Sequence, residues 1–222
     1  GVLLIKDLDQ PKRFLYVLLR PHWTSWLVKG GYTITAYGGL VTLWGVLKYF
    51  ELATLTELLI WPILCLSVLL AVYTAFLFGQ AKGRDFWQSP LLSVHMLLHS
   101  VVGGSAALLI MSSFWTDILP LVALLKGILF WSLVVQLFSF AAEFLSSHPT
   151  EDAVKTAHMI THGIFCKTFW VGVVLCGNAA PLLLLSINSG LLAVATASIL
   201  VLIGVWLSVR IWVMAPQMVA LS

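Results

Sequence analysis

Six long apolar runs limit what this chain can become. They fall at about 27–49, 57–79, 91–113, 119–142, 163–186 and 190–214. Each matches the roughly 20 residues that a helix needs to cross a bilayer. A backbone inside hydrocarbon must satisfy its own polar groups, so runs of this length imply helices. Composition agrees: 60% of the residues are hydrophobic and 9% are charged, with a mean hydropathy of +1.01. Soluble domains carry roughly 25% charged residues. The expected fold class is therefore an all-α polytopic membrane protein with six visible transmembrane helices.

The chain is expected to form one integral membrane domain over 1–222. Its opening, Gly1-Val2-Leu3-Leu4-Ile5, is apolar but too short to span. It reads as the end of a preceding helix, and 1–26 as that end followed by a polar loop. Pro90 and Pro120 stand near the first turns of the third and fourth spans, where a missing N–H costs little. Pro62 and Pro181 lie inside spans and predict kinks. Asn188-Ser189-Gly190 predicts a tight turn.

Charge sets the orientation. Lys6, Lys12, Arg13 and Arg20 precede the first span, Lys82 and Arg84 follow the second, and Lys155 follows the fourth. These segments share one side, which the positive-inside rule makes cytoplasmic. Trp23, Trp26, Trp61, Trp87, Trp115 and Trp212 fall near span ends, as an aromatic belt requires. The net charge of +3 does not point to nucleic acid. Cys65, Cys166 and Cys176 lie in apolar runs without a C-x-x-C spacing, so no iron–sulfur or zinc site is expected in this chain.

A few polar residues inside the spans could carry chemistry. Gly31, Thr35, Gly38, Thr42 and Gly45 recur on one helical face, where a backbone or flat ligand can approach closely. His95 and His99 are four apart on the third span and project from one face. They read as structural hydrogen-bonding groups, as a proton relay, or as haem ligands that would need partners on other helices. Lys126 and Gln136 lie within the fourth span and Glu143 ends it. An intramembrane Lys costs roughly 2.5 kcal/mol or more on insertion scales, so it must face the bundle, water or a carboxylate. A proton path through His95, His99, Lys126 and Glu143 is one reading; interface positions for Lys126 and Glu143 are the other. Thr150 predicts an N-cap with Glu151 and Asp152 in the first turn behind it. His158 and His162 form a solvated face or a proton entrance, and Arg210 an interface anchor.

Asp7-Leu8-Asp9-Gln10-Pro11-Lys12-Arg13-Phe14, followed by Ser25-Trp26 and a glycine-rich helix, resembles the NrfD family. The family form is D-L-G-R-P-x-R-F; Asp9 and Gln10 depart from it. Phe86-Trp87-Gln88-Ser89-Pro90-Leu91-Leu92, then Gly103-Gly104-Ser105-Ala106-Ala107, is similar to a second family stretch. Phe169-Trp170 and Gly177-Asn178-Ala179-Ala180-Pro181-Leu182 are similar to a third. The resemblance implies a bundle of about nine helices, with about three before Gly1.

It also implies a quinone-reactive membrane subunit of a respiratory oxidoreductase in a bacterial or archaeal cytoplasmic membrane. The quinone would be menaquinone or ubiquinone, with no haem or metal in this chain. Electrons would pass to or from a ferredoxin-like iron–sulfur subunit, and thence a molybdopterin or other catalytic subunit. Asp7, Arg13, Lys29, Tyr32 and Tyr37 are the candidate quinone contacts. Asp7 and Arg13 could instead form a structural ion pair, and Lys29 could snorkel to the headgroups. The competing classes are a haem-b cytochrome anchor and a secondary transporter. A transporter should show broken helices and mid-membrane charges in paired halves, and no such pairing is visible.

Overall fold

A computed structural model of the protein describes residues 19–187 and 190–220. Asp7, Arg13 and the Asn188-Ser189 turn lie outside the described residues. Among the described residues there are helices and loops and no strand. The chain divides into two compact units, Gly1–Gln80 and Ala81–Ser222.

The described part of the first unit is a helical hairpin of α1 (Trp26–Tyr49) and α2 (Ala53–Gly79). The reversal is tight and places Glu51 in the left-handed region at φ 57°. The helices run antiparallel. Near one end Trp26 stacks on Phe76 with ring centroids 4.4 Å apart. One turn along, Gly30 lies directly on the Tyr73 ring, leaving no room for a Cβ. Gln80 ties off the pair. Its amide nitrogen donates to Thr24 O (3.1 Å) and its carbonyl accepts from Trp26 N (2.9 Å). Trp26 N is one of the N-terminal groups that a helix cannot satisfy itself.

The second unit holds the rest. A 3-10 turn (Asp85–Gln88) leads into α3 (Leu91–Met111). A second 3-10 turn (Thr116–Leu121) leads into α4 (Val122–Leu145), followed by the short α5 (Glu151–Thr161). A π-helical stretch, Thr168–Ala179, continues as α6 (Ala180–Ile187), and α7 (Leu191–Met218) ends the fold. Thr150 caps α5 by accepting from Ala153 N (3.3 Å), with Glu151 and Asp152 in the first turn. The wide π turns coincide with Asn178, whose side-chain amide donates to Val173 O five residues back (2.8 Å). They end just before Pro181, which has no N–H to continue any ladder. The helix that corresponds to the expected fifth span runs Thr168–Ile187.

Among the described residues, five helices are long and apolar enough to cross a membrane: Ala53–Gly79, Leu91–Met111, Thr116–Leu145, Thr168–Ile187 and Leu191–Met218. Helix α1 has the length, but its glycines, threonines and tyrosines dilute its apolar character. Within the second unit, α3 and α4 are antiparallel. So are α7 and the π stretch, where Gly177 and Gly204 bring two backbones together. A Cβ on Gly177 would stand 2.6 Å from Gly204 Cα. Close approach through small residues is how membrane helices gain packing without a hydrophobic drive. One half of this bundle is a dry aliphatic core: Val102, Ala106, Leu109, Leu125, Leu129, Leu133, Leu185, Val194, Ala197 and Val201.

Candidate functional site: a buried histidine–glutamate pair

The other half of the second unit is polar inside. Helix α4 carries Gln136, Ser139 and Glu143 at i, i+3 and i+7, so all three lie on one face. All three are buried. On α3, His95 and His99 present a matching face and are buried as well. Ser89 Oγ donates to Glu143 Oε2 (3.0 Å), and Ser139 Oγ lies 3.3 Å from His95 Nδ1. His95 Nε2 stands 3.4 Å from the same Glu143 oxygen. That distance is close polar contact without hydrogen-bond alignment. His95 is 0% exposed and Glu143 2%.

Aromatic rings enclose the pair. His95 stacks on Phe140 (5.4 Å between centroids) and tilts against Trp212 (5.2 Å). Phe144 and Phe169 complete the wall around Trp212. Trp87 Nε1 donates to Trp212 O (2.8 Å), which fixes the start of α3 to α7. Trp87 and Trp212 are buried, so the expectation that they sit in an interfacial belt is corrected. Their rings have a larger apolar contact to make with the bundle than with headgroups. Trp23, Trp61 and Trp115 are exposed, as a belt needs. Arg84 Nη1 donates to Pro216 O (2.9 Å) and Val219 O (2.6 Å), closing the end of α7 nearest the pair.

Burying a carboxyl and an imidazole in a membrane bundle is costly unless they are paired or functional. Here each is held by a serine, both can carry a proton, and both face the same place. The arrangement can store a proton or hand it between the imidazole and the carboxyl.

The sequence-derived candidates are distributed unevenly. His95 and Glu143 meet, and the His99 ring lies 6.4 Å from that of His95. Lys126 sits in the first turns of α4, 17 residues before Glu143. At 1.5 Å per residue that is about 25 Å away, beside the aliphatic core. In the first unit, Lys29 Nζ lies 4.3 Å above the Trp26 ring, and Tyr32 packs on Trp23 with centroids 5.0 Å apart. Tyr37 is half-buried one turn further on. Thr35 and Thr42 hydroxyls donate to Gly31 O and Gly38 O (both 2.8 Å). Among the described residues, nothing lies within 4 Å of a would-be Cβ on Gly38, Gly39 or Gly45, so this part of α1 is open to them. His158 and His162 stack 5.2 Å apart at the end of α5. Ser89, Ser139 and Trp212 were not foreseen. The signal for Ser139 was the polar stripe 136, 139, 143 on an otherwise apolar helix.

A bundle of this kind, with membrane-length helices and a protonatable pair inside, defines an integral multi-pass membrane protein. A family model described as Polysulphide reductase, NrfD matches residues 1–221. The chain belongs to the NrfD family, membrane subunits of polysulfide and related reductases that work with iron–sulfur and catalytic subunits. A comparison with curated proteins finds no match.

Proposed function

We propose that this chain is the quinone-reactive membrane subunit of a respiratory oxidoreductase complex. It passes electrons between the membrane quinone pool and a docked iron–sulfur subunit, which serves a molybdopterin or other catalytic subunit. The observation that carries this reading is the buried His95–Glu143 pair with its two serines. Quinone reduction takes up protons along with electrons, and a membrane subunit that does it needs protonatable groups away from bulk water. His95, His99 and Glu143 form that path; Lys126, at the far end of α4, would serve the opposite end.

The quinone ring would dock along the start of α1, against Tyr32, Tyr37 and Lys29, with Asp7 and Arg13 from the preceding loop. Trp23 and Trp26 supply aromatic contact there, and the open glycine face admits a flat ring. In this reading α1 also crosses the membrane, in addition to the five more apolar helices. The side bearing Lys82, Arg84 and Lys155 is cytoplasmic, in a bacterial or archaeal inner membrane.

The test uses the intact complex in native membranes. Tyr32→Phe and Tyr37→Phe together should raise the KM for a water-soluble quinol about tenfold, the loss of about 1.4 kcal/mol of hydrogen bonding. Complex assembly should be unchanged. Unaltered quinol kinetics in the double variant would remove the site from α1.

A further inference from the structure

The polar interior of the second unit does not stop at His95. Antiparallel pairings fix which residues share a level. Ser89 meets Glu143 and His95 meets Ser139, so one turn on, His99 comes level with Gln136. His95 packs on Trp212 of α7, and Trp212 also meets Trp87 and Phe86 before α3, so Ser208, one turn before Trp212, lies near the level of His95, next to that of His99. Asn178 follows Gly177, which abuts Gly204, one turn from Ser208. Three helices and the π stretch thus bring four polar side chains to neighbouring depths.

All four are buried: His99 is 7% exposed, Gln136 1%, Asn178 1% and Ser208 0%. Among the described residues, both His99 nitrogens, Gln136 Oε1, Asn178 Oδ1 and Ser208 Oγ lack a hydrogen-bond partner. A buried polar atom without a partner costs on the order of 1–3 kcal/mol. Five such atoms at adjoining depths on separate elements are not an accident of one rotamer. Past this level, Val102, Leu133 and Val201 begin the aliphatic core, where the buried Ser105 and Ser198 hydroxyls already donate within their own helices, to Val101 O (2.6 Å) and Val194 O (2.8 Å).

We propose that His99, Gln136, Ser208 and Asn178 bind a short chain of internal water molecules, a hydrated pocket that ends blind at the aliphatic core. A buried water makes about three hydrogen bonds to groups otherwise unsatisfied, and this set offers carbonyl, hydroxyl and imidazole partners. A sodium ion has the same oxygen ligands available. It is the poorer occupant, because none of the four side chains carries a negative charge to offset its desolvation. The pocket's role, holding protons behind the His95–Glu143 pair, rests on the function proposed above; the binding of water does not.

The test is a density map of the intact complex at a resolution that shows ordered water, with and without sodium. Water peaks within hydrogen-bond distance of His99 and Gln136 are expected in both. They should be lost in Gln136→Leu, which removes the carbonyl while keeping an apolar side chain of similar length. A direct bond between the Gln136 amide and His99 with no water peak would overturn the proposal, and so would a peak that appears only with sodium. If water is found while Glu143→Gln leaves quinol turnover intact, the pocket stands and the proton-path reading fails. If Glu143→Gln stops turnover and no water is found, the reverse holds.

Discussion

His95 Nε2 lies 3.4 Å from Glu143 Oε2, and neither side chain reaches solvent. The two residues sit on different helices, held in register by Ser89 and Ser139. This contact links packing to chemistry, because the pair that joins α3 to α4 also carries the titratable groups.

Glu143→Gln keeps the Ser89 hydrogen bond and the side-chain volume while removing the exchangeable carboxyl. The complex should assemble and bind its iron–sulfur partner normally. Quinol-dependent turnover should fall by about 10²-fold or more, the usual worth of a positioned acid–base group. Turnover in membranes, set against subunit content on a blot, separates the two effects. Glu143→Leu, by contrast, strands His95 and Ser89 and should cost about 1–3 kcal/mol in stability.

Gly177→Val should be among the most damaging changes in the second unit. Even a Cβ there would stand 2.6 Å from Gly204 Cα, backbone against backbone. No side-chain movement can relieve that. Overpacking of this kind costs about 1–3 kcal/mol or more, and thermal denaturation of the purified complex in detergent should show a lowered midpoint. Gly45→Ala, on the open face of α1, should leave the midpoint unchanged.

Trp212→Ala removes the ring that touches His95, Phe140, Phe144 and Phe169. A loss of about 3–5 kcal/mol is expected from the cavity alone. Trp87 should keep its bond, because it donates to the Trp212 backbone carbonyl and not to the ring. The fluorescence of Trp87 in a variant with fewer tryptophans reports on that difference.

Arg84→Ala should loosen the end of α7 without disturbing the spans. It frees the Pro216 and Val219 carbonyls that Arg84 holds. Hydrogen exchange across 214–220 should quicken, while α3 and α4 keep their protection. Equal protection in variant and parent would show that the carbonyls find other donors.

The membrane class was readable because apolar runs of bilayer length leave few alternatives; of the six expected spans, five match helices among the described residues that are long and apolar enough to cross. Helix α1 forms as expected, yet falls short of the other spans in apolarity, because the glycines and threonines that give it a face also dilute it. The site was half legible. His95, His99 and Glu143 stood out as titratable groups in apolar surroundings. Their pairing did not, because it depends on the register of two antiparallel helices, which spacing along one helix does not fix. Lys126 was expected on one path with His95, His99 and Glu143, but it sits 17 residues of rise from Glu143, a separation the sequence itself shows. Trp87 and Trp212 read as belt residues because they lie near span ends; depth along the helix says nothing about which way a ring faces. Asn178 and Ser208 gave no sequence signal beyond being polar within spans.

The central claim is that Glu143 exchanges a proton as quinone is reduced and reoxidised. Infrared difference spectra of the intact complex, recorded between the quinone and quinol states, measure it directly. A carboxyl C=O band that shifts or changes intensity between the states, and that is absent in Glu143→Gln, is the result expected. Identical carboxyl bands in both states, with the parent and the variant indistinguishable, would contradict the account.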